Sequence, residues 1–352
     1  MKKRQLLPEW HPQSAIQLTW PNETTDWAEN MEEVVDCYLQ IANEILLRQK
    51  LIVVCAEKET VIPHFRSGQL EKIEFYEMPV NDTWARDHAP LTALEEGEPV
   101  LLDFKFNGWG NKFDWELDNK ISKNLYDQKI LGGKCKYADY TGFVLEGGAI
   151  DYDGNGTILT TRSCLLAPSR NPRYSKKRLE NFLKETFGIL QIRWLNYGWL
   201  AGDDTDGHID TLARFANEST IIYTKCYDES DIHFKELRTM EKSLAKLRNV
   251  NGQKYNLVPI PLPTPVYWQS DRLPATYANF LIINGAVLLP VYNVAEDQQA
   301  ITILKDVFKD HEIIPVNCVP LIKQHGSLHC ITMQYPIECD GKNDKSRTDT
   351  TT

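Results

Sequence analysis

Five short polar motifs, spread over most of a 352-residue chain, carry the side chains that could do covalent chemistry. They are residues 81–87 (NDTWARD), 145–148 (LEGG), 206–210 (DGHID), 277–280 (YANF) and 328–332 (LHCIT). Together they supply a thiol, an imidazole, carboxylates and an amide. A thiolate is a nucleophile, an imidazole moves protons, and carboxylates grip cations. The set suits attack by cysteine on a cationic, nitrogen-rich carbon.

The imidazole is that of His208, in the Asp-Gly-His-Ile-Asp motif. If this segment is extended, the side chains of Asp206, His208 and Asp210 share one face. Nearby negative charge would favour the imidazolium, which could protonate a leaving group and later deprotonate a water. A solvated acidic turn is the alternative. We predict no metal, because no second histidine lies at ligand spacing.

The thiol is that of Cys330. A free cysteine has a pKa near 8.5, so only about 3% is thiolate at pH 7. An imidazolium, or a cationic substrate, would raise that fraction. Taken alone, a cysteine in this apolar stretch is more often a buried strand residue, and only the other motifs favour a nucleophile. His329 is predicted to point to the opposite face and is the weaker catalytic candidate.

Two further carboxylates complete the set. Asp87 could bind two guanidinium N–H groups side by side, with a structural ion pair to Arg86 as the alternative. Trp84 could wall a channel for a cation or serve as a core residue. Glu146 follows an apolar run, so it is predicted to be partly buried, with His208 as its partner.

Composition excludes several other function classes. The formal net charge of −10 argues against nucleic acid and anionic membranes as partners. No apolar run has the length of a signal-peptide core after the basic N-terminus, or of a membrane span. The eight cysteines are scattered without a Cys-x-x-Cys pair, which is typical of reduced thiols and predicts a cytoplasmic protein. A homo-oligomer is left open.

Periodicity predicts alternating helices and strands along the whole chain. Helices are predicted near residues 31–49, 114–126, 175–187, 231–247 and 296–308, and strands near 51–55, 100–106, 157–161, 219–223, 280–283, 287–291 and 313–316. Turn signals at 153–156 and 284–285 predict hairpins. The regular spacing indicates a repeated α/β unit with no linker that would split the chain.

The motifs and their order resemble the catalytic domain of the agmatine deiminase and bacterial-type peptidylarginine deiminase family, within the guanidine-modifying enzymes. The likeness runs from about residue 8 to 336 and includes residues 106–110 (FNGWG) and 165–172 (LLAPSRNP). It implies a pentein-type, five-bladed α/β propeller as a single catalytic domain over residues 1–336, without a cofactor. Residues 337–352 are polar and predicted to be a disordered tail.

By this resemblance, Cys330 attacks the guanidinium carbon, ammonia leaves, and a covalent thiouronium remains. Water activated by His208 then releases a ureido product. Asp87 and Asp210 hold the guanidinium nitrogens, and Glu146 orients His208. The substrate-binding residues that it implies are Asp87, Asp210, Trp84, Asn279 and Trp109.

The expected substrate is a small cationic guanidine. The sequence shows neither a secretion signal nor the additional C-terminal domain of exported peptidylarginine enzymes, which favours agmatine, converted to N-carbamoylputrescine and ammonia. Residues 324–330 (QHGSLHC) depart from the Gly-Gly-Gly-Asn-Ile-His-Cys form of established agmatine deiminases, and Ala85 replaces a frequent Met. Peptidyl-arginine and free arginine therefore stay open.

Other reaction classes remain as alternatives. An amidinotransferase of the same fold would resolve the thiouronium with an amine instead of water. A cysteine protease would not need two guanidinium-binding aspartates. A non-catalytic sensor of arginine-like cations would have lost the thiol or the imidazole, and both are present.

Overall fold

Five mixed β-sheets contain most of the strands in the computed structural model, which describes residues 3–341. In spatial order their strands are Arg4–Leu6, Leu91–Glu95, Glu98–Lys105 and Lys136–Val144 in the first sheet; Ile150–Tyr152, Thr157–Thr161 and Gln191–Leu195 in the second; Ala213–Asn217, Thr220–Lys225 and Asn256–Pro261 in the third; Leu281–Ile283, Ala286–Val291 and Glu312–Asn317 in the fourth; and Thr332–Pro336, Gln13–Thr19, Lys50–Cys55 and Ile73–Glu77 in the fifth. A small ribbon joins Tyr267–Trp268 to Asp271–Arg272.

Each sheet follows the same chain path. One inner strand pairs antiparallel with one neighbour and parallel with the other, and a helix links the two parallel strands. Parallel strands need such a crossover because a tight turn cannot connect them. The five crossover helices are Met31–Leu46, Ile121–Asp127, Lys176–Phe187, Phe234–Leu244 and Asp297–Val307. The predicted α/β class is confirmed.

Shorter helical segments lie mainly in the connections. Those with α-helical geometry are Lys58–Val61, Ser67–Leu70, Ala85–His88, Gly108–Asn111, Arg162–Leu165 and Val319–Ile322. Those with 3₁₀ geometry are Ala28–Asn30, Ile62–His64, Asp118–Lys120, Ile130–Gly132, Gly147–Ala149, Ile209–Thr211 and Ile337–Cys339. Within residues 3–341, no helix combines the length and apolarity needed to cross a membrane.

The crossover helices are held by one apolar face. In Met31–Leu46, the side chains of Val34, Tyr38, Ile41 and Ile45 recur at helical spacing and are fully buried. Burying an aliphatic side chain of this size contributes roughly 1.5–3 kcal/mol, so packing against the sheets, more than helix propensity, fixes the helix.

The five polar motifs all lie in equivalent places. Each is in the connection that leaves the last parallel strand of one sheet and enters the next sheet. Residues 81–87 connect the fifth sheet to the first, 145–148 the first to the second, 206–210 the second to the third, 277–280 the third to the fourth, and 328–331 the fourth to the fifth. The repeated fold therefore contributes one motif per connection.

Predicted and observed elements agree where periodicity was strong. All the predicted strands are present, and the two predicted hairpins join antiparallel strands. The helix predicted over 114–126 starts later, with a 3₁₀ turn at Asp118–Lys120. The strand Gln13–Thr19 was not predicted, because buried Gln13 and Gln17 break its apolar pattern.

The end of the folded chain lies beyond the predicted boundary at residue 336. Thr332–Pro336 pairs antiparallel with Gln13–Thr19, which brings the two ends of the chain into one sheet. After it, Cys339 is fully buried, and the Asp340 carboxylate lies 2.8 Å from Lys50 Nζ. The buried residues Cys339 and Asp340 therefore belong to the fold and not to a tail, while the rest of the predicted tail, 342–352, lies outside the described residues.

Gly188 offers a test of how the first strand docks. It ends the helix Lys176–Phe187 with φ +69°, and a Cβ there would lie 1.9 Å from the Arg4 carbonyl oxygen. We expect Gly188→Ala to lower the free energy of unfolding by about 3–5 kcal/mol, measured by urea denaturation. Gly252 is the control, with φ +76° and no atom within 4 Å. Gly252→Ala should cost only the left-handed strain, about 1–2 kcal/mol, and equal losses would contradict the docking argument.

Candidate active site

A cavity with acidic and aromatic walls is lined by residues of three of the five connections, those that contain residues 81–87, 206–210 and 328–331. It has about 500 Å³ of empty space, part of it open to solvent. Four of the predicted site residues line it, namely Trp84, Asp87, Trp109 and Cys330. Carboxylates that the sequence analysis did not select surround them, namely Asp26, Asp82, Asp203 and Asp204.

Three of the predicted polar side chains converge on Gly148. A Cβ at this position would lie 2.7 Å from His208 Nδ1 and 3.0 Å from both Asp87 Oδ1 and Asp210 Oδ2. Asp87, His208 and Asp210 are each at most 5% exposed. The Leu-Glu-Gly-Gly motif is thus needed for close packing, because only glycine leaves room for these groups around one backbone position.

Asp87 is fixed by neutral donors on both oxygens. Its Oδ1 accepts a hydrogen bond from the Gly148 N–H and its Oδ2 accepts one from Trp109 Nε1–H, each at 2.9 Å. His208 Nδ1 lies 3.7 Å from Oδ2. Arg86 instead donates to the His329 carbonyl at 3.4 Å, so the alternative of an Arg86–Asp87 pair does not describe this motif.

A strained turn presents Trp109. Its φ of 51° is left-handed, which is uncommon for a bulky residue. Gly108 and Gly110 on either side also have positive φ, and a Cβ on Gly108 would lie 2.3 Å from the Phe113 carbonyl oxygen. The turn therefore holds the Trp109 ring at the cavity wall with its N–H directed at Asp87.

Trp84 forms another wall. Its Nε1–H donates to Asp82 Oδ2 at 2.7 Å, and its ring packs against those of Trp27 and Trp109. A Cβ on Gly326 would lie 2.0 Å from this ring. The Trp84 ring is thus held in place from several sides.

His208 reaches the site by a different local structure from the one expected. Asp206 and Gly207 have φ of 68° and 85°, and the chain then enters the 3₁₀ turn Ile209–Thr211, so the motif is not extended. The shared-face argument is therefore wrong for Asp206, which turns away and pairs with Lys112 at 2.8 Å. His208 and Asp210 still reach the site.

The surroundings of His208 favour the positively charged form of its ring. Burial by itself would lower its pKa, but the negative charge of Asp87, with smaller effects from Cys164 and Glu146, raises it well above the ordinary value. The imidazolium can therefore donate a proton to a leaving group.

Glu146 has a partner that the sequence analysis missed. Its Oε1 accepts from Arg170 Nε at 2.8 Å, and both side chains are fully buried. His208 was the expected partner and lies close by, since ligand atoms of Glu146, Cys164 and His208 lie within 4.8 Å of one another. Such a trio can bind a divalent metal, but the Arg170 guanidinium already supplies the positive charge beside Glu146. Arg170 belongs to the segment 165–172, which was noted only as a family-like stretch.

Asp210 and Asp87 differ in their electrostatics. Burial raises the pKa of Asp210, and the hydrogen bond and charge of His329 lower it. The net result is a pKa below the ordinary value. Burial and the charge of Asp210 raise the pKa of Asp87 in spite of His208. Asp210 Oδ2 lies 2.7 Å from His329 Nδ1, whereas the buried Oδ1 has no hydrogen-bond partner among the described residues. Its capacity to accept hydrogen bonds is thus unused within residues 3–341, although Asp210 is not among the residues that line the cavity.

Cys330 lies in a turn held by backbone contacts. Its carbonyl accepts from the Arg86 N–H at 3.0 Å, and Asn279 Oδ1 accepts from the His329 N–H at 2.9 Å and from Cys330 Sγ at 3.5 Å. Asn279 is fully buried and supports this turn; it is not among the residues that line the cavity.

The thiol is protonated in the free protein. Burial and the negative charges of Asp210 and Asp87 raise the pKa of Cys330 well above its ordinary value. A cation bound against the two aspartates would cancel their effect and lower that pKa. The arrangement can therefore couple the binding of a positive group to the activation of the nucleophile.

Comparisons with known proteins agree with this chemistry. Residues 5–336 match the sequence model of the Porphyromonas-type peptidyl-arginine deiminase family. The chain is 48% identical to a provisionally assigned arginine deiminase of Porphyromonas gingivalis, with a TM-score of 0.91 over 96% of this chain and 99% of that one. It is 37% identical to the C. jejuni agmatine deiminase, solved with substrate bound, with a TM-score of 0.88 over 94% and 96% of the chains. The agmatine deiminase of Stutzerimonas stutzeri is 30% identical, covering 93% of this chain and 94% of the relative.

The coupling of charge and reactivity predicts a preference for cationic alkylating reagents. We expect 2-chloroacetamidine to alkylate Cys330 faster than neutral 2-chloroacetamide at pH 7. The ratio of the two rates for Cys330, divided by the ratio of the two rates for glutathione, should be on the order of 100. The neutral reagent should continue to gain rate above pH 9, because the thiol pKa is raised. Mass spectrometry of the Cys330 peptide gives both rates. Equal rates would contradict the coupling.

Gly148→Ala should abolish that preference, because the added methyl group would displace His208, Asp87 and Asp210 from their common position. The ratio of the two alkylation rates should fall to within about threefold of the ratio for glutathione. Gly142→Ala is the matched control, since a Cβ there meets no atom within 4 Å. Wild-type preference in Gly148→Ala would show that the convergence has no part in the reactivity.

Proposed function

The chain belongs to the Porphyromonas-type peptidyl-arginine deiminase family, and on that premise we propose that it hydrolyses agmatine to N-carbamoylputrescine and ammonia. It is then a hydrolase of carbon–nitrogen bonds in linear amidines. The observation that carries the proposal is the convergence of Asp87, His208 and Asp210 on Gly148, beside a cavity lined by Cys330. Hydrolysis of a guanidinium needs such a nucleophile, proton donor and pair of carboxylates.

In the proposed first step, the guanidinium binds against Asp87 and Asp210. Oδ1 of Asp210, which has no hydrogen-bond partner within residues 3–341, accepts one N–H, and Asp87 keeps lone pairs beyond the bonds from Gly148 and Trp109. The added positive charge lowers the pKa of Cys330, whose proton leaves to solvent. The thiolate then attacks the guanidinium carbon, and the electron pair of one C–N π bond moves to nitrogen, giving a neutral tetrahedral adduct.

In the next steps, His208 supplies and recovers one proton. Its imidazolium protonates the departing nitrogen, the C–N bond breaks, and ammonia leaves a thiouronium on Cys330. The neutral imidazole then takes a proton from water as the water oxygen bonds to the carbon. Collapse of this second adduct breaks the C–S bond as the hydroxyl proton passes to the departing sulfur. This releases the ureido product and regenerates the thiol, with His208 again an imidazolium. Glu146 orients His208 from behind.

The charge of the cavity rim supports a substrate with a second cation. Burial, together with the neighbouring charge of Asp26, raises the pKa of Asp82 to about 7, and burial with Asp203 raises that of Asp204 to about 6. Carboxylates that repel one another are stabilised by an added cation. The distal ammonium of agmatine supplies one, whereas the carboxylate of free arginine would add to the repulsion.

We further propose that the five sheets are the blades of one α/β propeller. The repeated strand order, and the pairing of Thr332–Pro336 with Gln13–Thr19, support a closed ring. The catalytic domain in this proposal extends to at least residue 341. The free state of all eight cysteines supports a reducing, cytoplasmic location.

The test is the initial rate of ureido formation from agmatine at pH 7. Wild-type protein should release ammonia and N-carbamoylputrescine in equal amounts, and Cys330→Ala should release neither, because the nucleophile is removed. Asp87→Asn should lower kcat/KM by at least about 100-fold, since one charge that binds and orients the guanidinium is lost. Its melting temperature should change little.

Parallel assays separate the alternatives. Free arginine and a peptide with an internal arginine test the other two guanidines, and an added amine acceptor with loss of the ureido product would identify an amidinotransferase. Wild-type turnover by Cys330→Ala would contradict the mechanism. Rapid turnover of arginine without turnover of agmatine would contradict the proposed substrate.

A further inference from the structure

A buried chain of charges extends from Asp210 away from the cavity. We propose that His329 is a positioning residue, an imidazolium held between Asp210 and Glu9 that fixes one oxygen of Asp210 and leaves the other for the substrate guanidinium. This inference rests on the proposed function and deepens it, because it assigns a role to the residue beside the nucleophile.

The contacts of the ring determine its charge. His329 Nδ1 lies 2.7 Å from Asp210 Oδ2, and Nε2 lies 2.8 Å from Glu9 Oε2. Ionised carboxylates only accept hydrogen bonds, so each ring nitrogen must carry a hydrogen. His329 is 3% exposed, and in this proposal it bridges the two ionised carboxylates as a cation.

Glu9 is itself anchored from the other side. Its Oε1 accepts from the Ile282 N–H at 2.8 Å, and its Oε2 also accepts from Arg214. Arg214 donates to the Phe280 carbonyl at 3.0 Å, and its Nε lies 3.3 Å from Asp151 Oδ2. The end of this chain of charges that is remote from Asp210 is thus fixed to backbone atoms. His329 therefore has little freedom to move.

The balance of buried charge also favours an imidazolium. The other charged groups of this cluster are the carboxylates Glu9, Asp151 and Asp210 and the guanidiniums Arg86 and Arg214. With His329 charged, three negative groups face three positive ones; with His329 neutral, one buried carboxylate would lack compensation. An uncompensated buried charge is strongly destabilising.

The consequence for the site lies in the orientation of Asp210. One oxygen is bound to His329, and rotation of the carboxylate would break that short contact. The other oxygen is buried without a hydrogen-bond partner among residues 3–341, and this is the atom proposed to accept a guanidinium N–H. His329 also favours the ionised form of Asp210, because His329 is the main group that lowers the Asp210 pKa against the effect of burial. Asp87, whose pKa is raised, is less readily ionised.

A structural role alone would also explain buried charge pairs. The test must therefore distinguish the contact of Nδ1 with Asp210 from the contact of Nε2 with Glu9. The amide nitrogen of Asn replaces Nδ1, which faces Asp210, and that of Gln reaches toward Nε2, which faces Glu9. Both variants remove the cation and should lower the melting temperature by similar amounts. A positioning role predicts that they differ in substrate binding.

The measurement is the Kd of methylguanidinium by calorimetry in a Cys330→Ala background, where no turnover occurs. This probe has no tail, so it reports the carboxylates alone. We expect His329→Gln to weaken binding at least about 10-fold more than His329→Asn. In turnover of agmatine, the same difference should appear in kcat/KM. If wild type does not turn over agmatine, the proposed substrate fails while the binding test of His329 still stands.

Equal weakening by the two variants, in step with equal losses of melting temperature, would overturn the positioning role. Unchanged binding in both would do the same. If neither variant folds, Glu9→Gln in the Cys330→Ala background replaces them, because it keeps the shape of the side chain and removes one charge behind His329. Binding weakened at least about threefold would then support the role, and unchanged binding would overturn it.

Discussion

Burial of carboxylates around one glycine is the constraint on which this site depends. Asp87 and Asp210 both lie close to Gly148 and are almost inaccessible to water, so each raises the free energy of the other in its ionised form. Two histidines compensate them, His208 toward Asp87 and His329 toward Asp210. One oxygen of Asp210 is left without a hydrogen-bond partner within residues 3–341, and in the proposed mechanism a bound guanidinium supplies one.

The same negative field governs the nucleophile. Because burial, together with the charges of Asp210 and Asp87, raises the pKa of Cys330, the protonated thiol is favoured in the free protein. A ligand that brings positive charge to the aspartates removes their part of this effect. Affinity and reactivity are therefore linked through one electrostatic interaction, and a neutral molecule that enters the cavity meets a poor nucleophile.

The sequence predicted those parts of the molecule that local patterns encode. Helices with strong 3.6-residue periodicity are confirmed. Of the residues selected by chemical type, Asp87, His208 and Asp210 lie together around Gly148, and their roles stay predictions. Contacts across long separations were not, such as Glu9 with His329 or Glu146 with Arg170. The extended interpretation of 206–210 was wrong because Asp206 adopts a left-handed φ, for which a local sequence pattern gives only a weak indication.

Few residues of the sequence form the site, because the motifs are distributed over the connections between the sheets. Each connection between consecutive sheets contributes only a few residues, and the strands and crossover helices remain free to satisfy packing. A site assembled in this way joins residues that are far apart in the sequence, because Cys330 lies just before Thr332–Pro336, which pairs with Gln13–Thr19, and its carbonyl accepts from the Arg86 N–H. Glu9 lies just before Gln13–Thr19 and contacts His329. The fifth sheet thus holds close together the proposed nucleophile and the proposed positioning group of Asp210.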